Sequence, residues 1–132
     1  MFSFEELING MAKRPQMYVH PLNVSSIENF VGGFLVGTGK IPPISKFDFN
    51  SPECVYASFF GLWVVQWIID NINSEYKLCS ELLPEILLKI TKDEDEAVKL
   101  YFSLCEKFFE CYHNNDEAYF DALARKVRGW DG

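Results

Sequence analysis

At 132 residues the chain has the length of one domain, and its 48% apolar content, with twelve Phe, six Tyr and three Trp, is enough to bury a core and excludes a disordered segment. The formal charge of −7 is uneven: residues 1 to 66 hold 5 acids and 4 bases, whereas residues 67 to 132 hold 14 acids and 8 bases. That balance has the wrong sign for direct nucleic-acid binding and suits solubility or a basic protein partner instead.

Ser3 and Glu6 have the spacing of a capping box, and Phe4, Leu7, Ile8 and Met11 follow at helical intervals, so a first helix begins here. Pro15 disfavours helical geometry at Arg14, which predicts a stop near Lys13. Ser25 and Glu28 repeat the capping spacing ahead of Ile27, Phe30, Val31 and Phe34, a second helix. Gly32, Gly33 and Gly37 weaken it, and the expectation is that they let another helix or a loop approach closely. Gly39 to Ser51 reads as an irregular connection, because Pro42 and Pro43 rule out a regular helix. Within it, Phe47-Asp48-Phe49 is either a scrap of strand or a pair of core anchors.

Ser51 offers an N-cap and Pro52 a first helical residue for a long third helix. From Cys54 to Ile69 its 16 residues include only Ser58 and Gln66 as clearly polar members. The run is shorter than the ~20 residues of a membrane span. Glu53 and Asp70 close it, so a helix buried on most sides is expected. Trp63 and Trp67 stand one turn apart beside Phe60 and Val64; the pairs Val64-Val65 and Ile68-Ile69 favour strand locally, but length and cap favour helix.

A shorter helix is expected near Pro84, with Ile86, Leu87 and Ile90 facing inward. Thr91 with Glu94, or Asp93 with Glu96, caps a fifth helix whose apolar stripe is Val98, Tyr101, Phe102, Cys105, Phe108, Phe109 and Tyr112. Asn114 and Glu117 are spaced to cap a last helix carrying Tyr119, Phe120, Leu123 and Val127. The fold class is all-α: a single-domain bundle of about five to six helices over residues 1–132, in one layer around the central aromatic third helix.

The side chains do not assemble an obvious catalytic set. His20 falls in a turn, and His113 falls at a helix end, where an imidazolium complements the dipole. Cys111 and His113 are two residues apart and so face different ways on a helix. Cys54, Cys79, Cys105 and Cys111 contain no C-x-x-C pair, and three lie in apolar helical patterns, so reduced, buried thiols and no metal site are expected. Asp93-Glu94-Asp95-Glu96 lacks the alternation and central glycine of a calcium loop and reads as a solvated first turn. Gly33, Gly37 and Gly39 form no phosphate loop. Neither a cofactor nor an enzymatic activity is expected. Glu5 and Glu6 interrupt any basic-then-apolar leader, and a cytoplasmic location is the corresponding expectation.

Two families share the string Lys13-Arg14-Pro15-Gln16-Met17-Tyr18. It resembles the "KRPGMYIG" string of the gyrase-type ATPases, and Ile68 to Glu75 is similar to their "E-x-x-D-N" helix. Trp67, however, stands where that family has its water-activating glutamate, and no "DxGxG" loop follows. The second resemblance covers most of the chain. Small bacterial immunity proteins of polymorphic and contact-dependent inhibition toxin systems carry "RPxMYxG" after a short helix, then "SI..l..Fi.Gy". Arg14-Pro15-Gln16-Met17-Tyr18, Ser26-Ile27 and Phe30-Val31-Gly32-Gly33-Phe34 are similar to that pattern. The Trp-containing segment Phe59 to Ile68 and the segment Ala97 to Phe108 resemble the family's later helices. Gln16 and His20 depart from it, where glycines are common.

The resemblance implies a binder that neutralises one toxin domain, often a nuclease with a basic surface, by blocking its active site or substrate approach. It implies no direct contact with nucleic acid or membrane and leaves oligomeric state open. Between Asp93 and Asp121 nine acids face Lys99 and Lys107, a net of −7. The expected contact face is Glu106, Glu110, Asp116, Glu117 and Asp121, with Tyr112 or Tyr119 as an exposed aromatic anchor. Arg14, Pro15, Met17 and Tyr18 are expected to form a structural turn: Arg14 bonding helix-end carbonyls or an acid, and one of Met17 and Tyr18 packing beneath the second helix. The alternatives are a helical adaptor with another basic partner and a small enzyme using Cys111, His113 or His20.

Overall fold

Ser3 closes a full capping box with Glu6, and α1 (Phe4–Lys13) runs from it with Phe4, Leu7, Ile8 and Met11 buried. The structure, a computed structural model, describes residues 3–42 and 46–129. It contains five further helices: α2 (Val24–Thr38), α3 (Pro52–Asn71), α4 (Leu83–Thr91), α5 (Glu94–Asn114) and α6 (Glu117–Arg128). Among the described residues there is no strand. The all-α, single-domain reading holds.

The caps differ from expectation at two helices. Asn23, not Ser25, starts α2: its backbone is extended and its side-chain oxygen accepts from the Ser26 amide at 2.8 Å. Asp116, not Asn114, starts α6 by accepting from the Tyr119 amide at 3.0 Å. Both are short polar side chains beside another good capping residue, so spacing alone did not choose between them. At α5 the cap is Asp93, whose Oδ1 accepts from the amides of Asp95 and Glu96, and Thr91 instead donates to the Leu87 carbonyl at the end of α4. Lys92 then turns the chain in the left-handed region at φ 62°.

α3 and α5 share the centre. α3 packs on α1, α5 and α6, while α5 touches α1, α2, α3 and α4. By length and composition α3 passes as a membrane-crossing helix, and within the bundle ten of its residues are buried. Rings fill the contacts of α5 with α3 and α6: Phe108 meets Tyr56, Phe60 and Trp63 of α3 and Phe120 of α6 edge-on at centroid distances of 6.2, 5.3, 5.8 and 5.8 Å. Edge-to-face pairs of this kind add about 0.5–1.5 kcal/mol each beyond their burial.

The connection between α2 and α3 is held at both ends. The Cys54 thiol donates to the Lys40 carbonyl at 2.9 Å, and the Tyr112 hydroxyl donates to the Phe49 carbonyl at 2.6 Å. Phe47 and Phe49 are core anchors and not a strand, with Phe47 edge-on to Phe59 and Phe49 edge-on to Tyr112. Pro43 lies outside the described residues. Gly32, Gly33 and Gly37 correct an expectation, because a Cβ at any of them would meet nothing within 4 Å. Among the described residues no chain segment approaches α2 there, and the glycine that is closely approached is Gly10.

Two polar features sit in the core. The Tyr56 and Tyr101 hydroxyls bond each other across the α3–α5 interface, with the fully buried Cys105 one turn along α5 from Tyr101. Burial pushes all three groups well above their usual titration ranges, so they stay protonated. Glu28 of α2 also faces this cluster, and burial raises its carboxyl.

Tyr101→Phe is expected to destabilise by about 1–3 kcal/mol, because it strands the buried Tyr56 hydroxyl. Tyr56→Phe strands the Tyr101 hydroxyl in the same way, and the double variant should be less destabilised than the two single effects summed; urea unfolding of the four proteins checks this. For Glu28 the sign follows from a raised acid: its stability contribution is present below the unfolded carboxyl range and lost as pH rises through the folded value. Glu28→Gln is therefore expected to melt higher than the parent at about pH 7, the gap closing toward about pH 4.

Candidate functional site

The opening string folds as a turn. Arg14 ends α1 with its amide on the Gly10 carbonyl at 3.3 Å, and Pro15–Met17 form one 3-10 turn closed by the Tyr18 amide on the Pro15 carbonyl at 3.0 Å. Tyr18 is the residue that packs, its ring edge-on to Phe30 of α2 at 5.9 Å, while Met17 is 70% exposed. The Arg14 guanidinium corrects the sequence expectation: it is exposed and bonds neither a helix-end carbonyl nor an acid among the described residues. The Tyr18 side chain packs closely over Gly10. A Cβ there would come to 3.2 Å from the Tyr18 hydroxyl.

The candidate contact residues divide among five places. Glu106 and Glu110 lie one turn apart on the solvent side of α5, exposed and in no ion pair among the described residues. Tyr112 corrects the expectation of an exposed anchor. It is 9% exposed, its ring lies on Phe49, and its hydroxyl is engaged by the Phe49 carbonyl. Asp116 is partly committed as the α6 cap.

Glu117 and Asp121 line one wall of a groove of about 390 Å³. Phe47, Ser58 and Phe59 form the opposite wall, and Arg125 and Arg128 continue the first one. The groove thus offers carboxylates at one end, guanidinium groups at the other and rings between them. Tyr119, 41% exposed, falls on the other flank of α6 with Gln66 and Asp70. The i, i+4 run Glu117-Asp121-Arg125 was visible in the sequence as one helix edge. The docking of Phe47, which makes that edge into a groove, was not.

The groups considered for catalysis are also distributed. His113 bonds Glu5 of α1 through Nε2 at 2.7 Å, so its partner is a carboxylate on another helix. Cys105 is buried; Cys79 corrects the expectation of buried thiols, standing exposed beside the Tyr76 hydroxyl at 3.6 Å. Among the described residues no three His, Cys, Asp or Glu side chains gather as a metal site. Comparison with models of known protein families, with curated proteins and with solved structures returns no match.

Gly10→Ala tests the turn. Alanine gains up to about 1 kcal/mol of helix propensity, but the Tyr18 hydroxyl crowds its methyl. The single substitution is expected to be near neutral in thermal unfolding, and in a Tyr18→Phe background the same change should stabilise by about 0.5–1 kcal/mol.

Proposed function

We propose that the protein is a cytoplasmic immunity protein that binds a cognate bacterial toxin domain with a basic surface, a nuclease by preference, and blocks its active site or its access to substrate. The observation that carries the reading is the unpaired acidic surface. Glu106, Glu110, Glu117 and Asp121 are exposed and make no ion pair among the described residues. A basic partner supplies the missing counter-charges, and such a surface steers association and competes with phosphate for the same cations. The groove beside Glu117 and Asp121 supports the reading further, since a Lys or Arg stem lies well on Phe47 and Phe59 with its head between the two carboxylates. The resemblance of the Arg14–Tyr18 string to the toxin-immunity families points the same way. In this reading the string is a packing turn and the acids do the binding, so no turnover is assigned to the chain.

The test is recovery of the tagged protein from its host with its bound partner. A near-stoichiometric C-terminal fragment of a large secreted protein is expected. Recovery alone or with housekeeping complexes overturns the proposal. With the partner in hand, the triple variant Glu106→Lys, Glu110→Lys, Asp121→Lys is expected to slow association by about ten- to a hundredfold and to lessen its salt dependence, measured by stopped-flow.

A further inference from the structure

The flank of α6 that carries Tyr119 leads into a second groove, of opposite charge to the acidic surface. Its volume is about 480 Å³, within the ~300–1,000 Å³ typical of ligand sites. Ile69 of α3, Val127 of α6 and Tyr76 and Leu78 of the α3–α4 connection give it apolar walls. Lys77, Lys126 and Arg128 stand around it, and among the described residues no carboxylate lines it. The α6 cations have a local reason to be there, because the last turn of a helix favours positive charge. Lys77 has no such reason. It comes from a different segment and converges on the same groove. Lys77 and Lys126 are exposed and make no hydrogen bond or ion pair among the described residues, in a chain of net charge −7.

The groove is also elongated. Gln66 and Lys126 are shared with an adjoining depression of about 300 Å³ that runs along α6 to Tyr119 and has Asp70 on its far wall. At the junction the Gln66 amide donates to Asp70 at 2.8 Å, while its oxygen is buried without a hydrogen-bond partner among the described residues. Apolar walls select side chains, converging ammonium groups select carboxylates, and length selects a chain over a compact ion.

We propose that this groove docks an acidic peptide segment of a partner protein, anchored by an aliphatic or aromatic side chain against Ile69, Tyr76 and Val127. Its charge is the reverse of that required by the acidic face, so it serves a second contact, independent of the toxin reading. One docked segment then leaves Glu106, Glu110, Glu117 and Asp121 accessible.

The experiment is an amide-resolved NMR titration of the full chain with short synthetic peptides rich in Asp and Glu, each carrying Leu and Phe two, three or four residues apart. Shifts concentrated at Ile69, Lys77, Leu78, Lys126 and Val127, saturating below about 1 mM, are expected. The Lys77→Glu, Lys126→Glu double variant, at two exposed positions that leave the core untouched, should weaken binding at least tenfold while its circular dichroism is unchanged. Peptides with Leu and Phe replaced by Ser should fail to saturate. Absence of shifts with every peptide, equal binding of the Ser peptides, or equal binding of a single-stranded oligonucleotide of matched charge would each overturn the proposal.

Discussion

Everything in this bundle follows from the need to cover α3. Its sequence from Cys54 to Ile69 is apolar on nearly every side, so no single partner helix can bury it. Each fully buried aromatic or aliphatic side chain contributes roughly 1.5–3 kcal/mol, which makes exposure of any long face of α3 expensive on the scale of a domain's net stability. The chain meets this by laying α5 along one face, α6 along another and α1 across a third. Most of α5's inward residues are then rings or branched aliphatics, and the register between the two central helices is marked by the Tyr56–Tyr101 bond. Apolar packing tolerates slippage more readily than a buried hydroxyl pair does, because a slipped register would leave both hydroxyls without partners.

What the sequence made legible was the periodic part. The stripe from Val98 to Tyr112 is buried throughout, and Ser3, Ser51 and Asp93 cap the helices they precede. That stripe already implied a buried Tyr112, and the expectation of an exposed anchor there set composition above periodicity. The misplaced caps have a similar cause: Asn23 and Asp116 compete with nearby residues of equal propensity, and only the local backbone chooses between them. The glycines show a different limit. Three in α2 attract attention by number yet face open space, whereas Gly10 is isolated and sits under a tyrosine hydroxyl. Close approach is a tertiary property and has no one-residue signature.

The candidate surface was legible as charge and not as shape. The excess of acids between Asp93 and Asp121 is a fact of composition, and the structure distributes them over a helix face, a cap and a groove. The groove exists because the α2–α3 connection is pinned by Cys54 and Tyr112, which hold Phe47 against Phe59. A side chain already placed on the core side of α5 thereby helps define a surface feature some distance along the chain.

α6 separates the two charged grooves along most of its length, with Arg128 near its end lining both. It packs on α3 through Phe120, Leu123 and Ala124, and residues on either side of that stripe project to opposite flanks. Glu117 and Asp121 fall on one flank and Tyr119 and Lys126 on the other. The helix dipole reinforces the polarity along its length, with acids stabilised near Asp116 and cations near Gly129. Neither groove requires the other to be empty, and they attract partners of opposite sign. A small helix with one buried stripe can therefore present two chemically distinct surfaces without adding to the core, provided that its neighbours supply one wall for each: Phe47 and Phe59 for the acidic groove, Tyr76 and Leu78 for the basic one.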